Sequence, residues 1–124
     1  MSGMTSFFRS FGHAWRGLRV AFRTEQSFRI QVAIGLLVFA AVWLFPLGDI
    51  ERVALLLAIG AVLVLELVNS MVERMVDLFK PRLHAYVRDI KDLMAAAVLL
   101  ASVTATFVGV LVLWPHVLLA LQRL

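Results

Sequence analysis

The sequence predicts an all-α integral membrane protein, with an N-terminal amphipathic surface helix followed by three transmembrane helices. Three observations predict it. Of the 124 residues, 62% are hydrophobic and the mean hydropathy is +0.93. That is far above the apolar share of a soluble domain, and a soluble core of this length could not bury so many apolar side chains. The basic residues gather at the borders of apolar runs: Arg9, Arg16, Arg19, Arg23 and Arg29 before the first, and Arg74, Lys80, Arg82, Arg88 and Lys91 around the gap between the second and third. The second run ends in a polar stripe made of Glu66, Asn69, Glu73 and Asp77. At about 100° per residue these four fall within an arc of roughly 80°.

Residues 5–23 read as a helix with two unlike sides. Phe7, Phe8, Phe11, Trp15, Leu18 and Phe22 share one side, and Arg9, Arg16, Arg19 and Arg23 the other. An aromatic face opposite an arginine face suits a helix lying in the plane of the membrane interface. A helix packed on the protein's own core is the plainer alternative, but this run is too polar to span. The polar break Thr24 to Ser27 follows. If the helix ran unbroken to Glu25, that carboxylate would lie on the aromatic face, which suggests a bend near Thr24.

The first span covers 30–47 and closes at Pro46 and Gly48. Eighteen residues make about 27 Å of helix, just enough to cross a bilayer. The second span covers 52–79 and is expected to stop at Lys80-Pro81, because proline breaks the hydrogen-bond ladder. Glu66 is about 20 Å from Arg52 by helical rise, in the cytoplasmic part of the bilayer. Residues 82–92 read as a cytoplasmic loop becoming the start of the next helix. The third span covers 93–121, with Ala95, Ala96, Ala97, Ala101 and Ser102 permitting close helix contact. Trp114-Pro115-His116 reads as an outer belt with a kink or end. The chain reads as one membrane domain, 1–124.

The charge distribution predicts the orientation. The gap between the first and second spans holds only Asp49, Glu51 and Arg52, and the C-terminus only Arg123. By the positive-inside rule the N-terminus and second loop are cytoplasmic, and the first loop and C-terminus outside. Three spans satisfy that alternation. The N-terminus lacks the pattern of a signal peptide and is expected to be retained. Basic residues confined to membrane borders argue against nucleic-acid binding. The chain has no cysteine, which excludes disulfides, thiolate metal sites and a cysteine nucleophile.

Acidic side chains within a membrane are expensive and point to function. Glu25, Glu66, Glu73 and Asp77 could meet at the cytoplasmic side, at the level of Lys91 and Asp92. Carboxylates beside a lysine suit a hard cation and a phosphate; magnesium takes one or two protein carboxylates and completes its shell with water and substrate phosphates. Phosphoryl transfer then needs positioning, charge neutralisation and a base on the accepting hydroxyl. Plainer readings stand beside this one. Glu73 and Asp77 could be a solvated helix end paired with Arg74, Lys80 or Arg82, and Glu66 and Asn69 could hold an oligomer together by interhelical hydrogen bonds. No nucleotide-binding loop motif is present. His13, His84 and His116 have no spacing that suggests a metal site.

The pattern Glu-x-x-Asn-Ser-x-x-Glu-x-x-x-Asp at 66–77, with His84 and Lys91-Asp92 before an alanine-rich helix, resembles the prokaryotic diacylglycerol kinase family, which includes the undecaprenol kinases. Trp15-Arg16-Gly17-Leu18 and Glu25-x-x-Phe28-Arg29 match it in order and spacing, so the resemblance covers nearly the whole chain. It implies a homotrimer in the bacterial inner membrane, using ATP and Mg2+ on a lipid alcohol, with active sites at subunit boundaries. Glu66 then resembles the general base, and Glu25 and Glu73 the metal-holding carboxylates. Asn69, Asp77, Lys91 and Asp92 resemble polar residues of the active and nucleotide sites, with Lys91 near the transferred phosphate.

The departures bear on the lipid. Met71 replaces a small residue, Arg74 stands where an uncharged residue or lysine is more familiar, and Leu93-Met94 follows Lys91-Asp92 in place of Gly-Ser. Asp77-Leu78 and the alanine-rich run resemble the undecaprenol kinase branch more closely, so undecaprenol is the expected substrate and diacylglycerol the alternative. A non-enzymatic proton or cation conductor is the contrasting hypothesis. A conductor has no evident need for Lys91-Asp92 and Glu25 at the same end.

Overall fold

The computed structural model describes residues 3–79 and 84–124, and all its regular structure is helical. The elements are α1 (Gly3–Thr24), α2 (Gln26–Leu44), α3 (Asp49–Asp77) and α4 (His84–Gln122). By length and composition α2, α3 and α4 are each long and apolar enough to cross a membrane.

The helix boundaries follow from local chemistry. Helix α1 stops at Thr24, whose hydroxyl bonds back to the Val20 carbonyl at 2.7 Å. Glu25 is extended, with φ −114° and ψ 108°, so the chain bends where the sequence suggests. The Arg29 guanidinium reaches back from α2 to the carbonyls of Phe22 and Arg23, at 2.8 and 3.1 Å. It thereby satisfies two acceptors that a helix end leaves open. Helix α2 begins at Gln26, before the expected residue 30. It ends at Leu44 because Pro46 holds Phe45 extended, at φ −91° and ψ 150°.

Helix α3 begins at Asp49 behind Gly48, whose N–H donates to Glu51 Oε1 at 3.0 Å, the return half of a capping box. The expected stop at Lys80-Pro81 lies outside the described residues. Helix α4 begins at His84, within the segment expected to pass from loop into helix, so Lys91 sits two turns inside it. Helix α4 also runs through Pro115 to Gln122; a proline costs a membrane helix one bond that its surroundings can compensate.

Helix α3 is the central element, packed most extensively on α4 and next on α2, while α1 touches α2 lightly. A small core of Val42, Leu47 and Leu55, with Val38, Phe45, Val108, Val112 and Leu113 against it, closes the end bearing the α2–α3 turn. Arg52 secures that turn, donating to the Val42 carbonyl at 3.1 Å and lying 5.6 Å from the Trp43 ring centre. His116 Nε2 is 3.6 Å from Glu51 Oε2 at the same end.

Gly35 is buried where α2 approaches α3, and a Cβ there would meet the Ile59 side chain at 3.2 Å. Gly35→Leu is expected to destabilise by about 1–3 kcal/mol through overpacking. Gly35→Ala, which asks the Ile59 Cγ2 methyl to give by only a few tenths of an ångström, should cost less than half as much. Unfolding in mixed micelles reads the difference, and equal effects from both variants would refute close packing at this point.

Candidate active site

Helical periodicity puts Glu66, Asn69, Glu73 and Asp77 on one arc of α3, and packing decides where that arc faces. The buried residues of α3 are Leu55, Val62, Glu66, Ser70 and Val76, which span roughly 120° around the same direction. The polar stripe therefore continues the seam that faces the other helices. This is the disposition expected of ionisable groups in a membrane helix. Glu66 is 5% exposed and Ser70 8%, while Asn69 and Glu73 are half-buried and Asp77 is exposed.

Two ties set α3 and α4 in antiparallel register. His116 meets Glu51 at one end, and Lys91 Nζ donates to Asp77 Oδ1 at 2.7 Å at the other. Glu66 consequently lies level with Ala101 and Ser102, and Met94 with Glu73. Lys91 stands at the open end of the stripe, with its ammonium held by the last carboxylate of that stripe. Asp92 is exposed beside it and has no ion-pair partner among the described residues.

Glu25 arrives from a different direction. The bend between α1 and α2 turns it toward α3, where its carboxylate meets Arg74, the residue after Glu73. Arg74 Nη2 lies 3.8 Å from Glu25 Oε1 and donates to Thr24 Oγ1 at 2.8 Å. Residue spacing carries no sign of that tie, because Arg74 and Thr24 are far apart in the chain. Of the seven candidate residues, Glu66 and Glu73 share the seam of α3, Glu25 is tied to α3 through Arg74, and Asp77 and Lys91 form a bonded pair. Asn69 belongs to the stripe by its place on α3. His84 is exposed at the start of α4, and His13 is exposed on α1.

A cleft of about 500 Å³ runs beside Glu66. Its walls are Ala14, Gly17, Leu18, Val20 and Ala21 of α1 against Leu67, Ser70, Met71 and Arg74 of α3. Leu67 and Ser70 follow Glu66 along α3, so Glu66 belongs to the turn of α3 that borders this apolar, small-residue slot under α1. Its volume suits a small ligand or part of a larger one. A second groove, of about 480 Å³, lies between α2 and α4 with α3 as its floor, and is lined among others by Gly35, Ala58, Ser102, Ala105 and Gly109.

Among the described residues, no three His, Cys, Asp or Glu side chains form a group able to hold a metal ion on their own. The donor set nevertheless fits magnesium carried by nucleotide phosphates, which needs only one or two protein carboxylates. Glu25 and Glu73 would hold it.

Comparison with known proteins adds an independent line. Residues 12–113 match the family described as prokaryotic diacylglycerol kinase. The chain is 35% identical over 116 residues to the diacylglycerol kinase of Escherichia coli, covering 93% of this chain and 94% of that one. It is 35% identical over 112 residues to the undecaprenol kinase of Bacillus subtilis, covering 90% and 91%. It is 39% identical over 110 residues to the diacylglycerol kinase of Synechocystis, covering 88% and 63%. The matched region holds the Glu25 bend, the whole polar stripe and the Lys91–Asp77 pair. With a family match across most of its length and relatives of this similarity, the chain belongs to the prokaryotic diacylglycerol kinase family.

Proposed function

We propose that this protein transfers the γ-phosphate of ATP to the hydroxyl of a membrane lipid alcohol, undecaprenol in the first place, at the cytoplasmic face of a bacterial inner membrane. Membership in a family of lipid kinases makes it an enzyme, so ion conduction is set aside as the role of the stripe. The observation that carries the reading is a buried glutamate, Glu66, on the turn of α3 whose Leu67 and Ser70 line the apolar cleft under α1. A lipid entering sideways from the bilayer would bring its hydroxyl to Glu66 while its chain stays among apolar side chains.

The chemistry follows from the groups at hand. Glu66 takes the proton as the lipid oxygen attacks the γ-phosphorus, and the bond to the bridging oxygen of ADP breaks. Lys91 neutralises charge on the transferring phosphoryl group, and Asn69 orients the polar end of the lipid. Glu25 and Glu73 would hold magnesium, which would supply charge neutralisation for the nucleotide phosphates. Asp77 and Asp92 complete the nucleotide side. The N-terminus is cytoplasmic, the C-terminus outside, and α1 lies along the inner surface with its aromatic side in the lipid. The groove between α2 and α4, rich in small residues, supports a trimer in which a helix of a second copy packs there.

Equal identity to a diacylglycerol kinase and to an undecaprenol kinase makes the cleft the arbiter of substrate. Met71 lines it, and a long side chain there in place of a small one favours one polyprenyl chain over the paired chains of a diacylglycerol. The test is a paired assay in mixed micelles with ATP and Mg2+. Undecaprenol is expected to be phosphorylated at least tenfold faster than diacylglycerol. The reverse preference would move the protein to phosphatidic acid formation, and no product from either lipid would overturn the kinase reading.

A further inference from the structure

The sector of α3 next to the polar stripe faces α1, and Arg74 is its last residue at the cleft. Its guanidinium meets both residues at the α1–α2 bend: Nη2 donates to Thr24 Oγ1 at 2.8 Å and lies 3.8 Å from Glu25 Oε1. Among the described residues, no other α3 side chain forms a hydrogen bond or ion pair with the bend. Arg29 braces it only from α2, through the carbonyls of Phe22 and Arg23. Glu25 itself is extended, between two helices, and carries no side-chain cap bond. Its carboxylate is therefore free to swing with α1 unless something on α3 fixes it.

We infer that Arg74 is a positioning residue, a clamp that fastens the α1–α2 bend to α3 and so sets Glu25 beside Glu66 and Glu73. The side chain of Arg74 is 54% exposed, and an ion pair that open to solvent adds little stability. Its effect is on position. A planar guanidinium can satisfy a hydroxyl and a carboxylate together, and an alanine can satisfy neither. The consequence for catalysis rests on Glu25 serving the metal nucleotide as proposed above.

The absence of cysteine allows clean spin labelling. Labels at Gly12→Cys on α1 and Met75→Cys on α3, both exposed sites, report the α1–α3 distance by pulsed electron resonance. Labelled chains are diluted with unlabelled ones so that distances arise within one copy. Arg74→Ala is expected to broaden the distance distribution at least twofold, Thr24→Val to broaden it less, and Arg74→Lys to keep it narrow. In the unlabelled variants, Arg74→Ala should raise the Mg2+ concentration for half-maximal activity about tenfold while kcat at saturating Mg2+ falls less than threefold, and Arg74→Lys should restore most of the loss. An unchanged distance distribution in Arg74→Ala overturns the clamp whatever the activity. A broadened distribution with unchanged Mg2+ dependence overturns the link to Glu25. A wild type inactive on any lipid would sink the kinase reading, and the distance result would still decide the clamp.

Discussion

Glu66→Gln is expected to lower kcat by about a thousandfold, within the range that a positioned general base contributes, and to leave the fold and oligomer intact. The amide has nearly the volume of the carboxylate and keeps an acceptor, but it has no basic site for the hydroxyl proton. The surroundings make the stability half of this expectation firm. Glu66 is buried. Replacing a buried carboxylate by a neutral amide removes the cost of desolvating a charge. The variant should unfold at the same or a higher denaturant concentration than the wild type. Steady-state turnover with saturating lipid and Mg2+-ATP, read beside micellar unfolding, checks both halves. Near-normal turnover would remove Glu66 from the chemistry. Lost turnover with lost structure would make it a packing residue.

The second large effect is expected at Lys91. Lys91→Met keeps much of the side chain's length and removes its charge. It should lower kcat by about 10²–10³, the loss seen when one stabilising group for transition-state charge is deleted. The Asp77 pair at 2.7 Å gives this variant its diagnostic value. With side chains 30% and 54% exposed, breaking the pair should cost no more than about 1 kcal/mol of stability. A structural role would predict that Asp77→Asn, which breaks the same pair, matches Lys91→Met in activity. A phosphate role predicts that Asp77→Asn retains far more turnover, because the lysine charge remains. Equal losses in the two variants would refute Lys91 as the group facing the phosphoryl.

Part of the site could be read before any helix was set against another. A period of about 100° per residue is a property of one helix, so the shared arc of Glu66, Asn69, Glu73 and Asp77 follows from spacing alone. The bend at Glu25 follows too, because a continued helix would turn a carboxylate onto the side that carries Phe11, Trp15 and Phe22. The end of α2 follows from Pro46. The point within 82–92 where loop passes into helix did not follow, because a charged run fixes no boundary; the structure is helical from His84. Lys91 thus lies within α4 and level with Asp77.

The sequence by itself determined four helices, their polar and apolar faces, the acidic stripe and the family to which those residues point. Periodicity and composition act within a segment, and a segment carries them wherever it is packed. Only the tertiary structure decided which sector of α3 faces α1, that Arg74 grips Thr24 and Glu25, that Lys91 bonds Asp77, and that a cleft opens beside Glu66. Those depend on the register and tilt between helices, which are fixed by contacts such as Gly35 against Ile59 and by the short turn around Gly48. Such contacts join residues distant in the chain, and spacing along one helix carries no record of them.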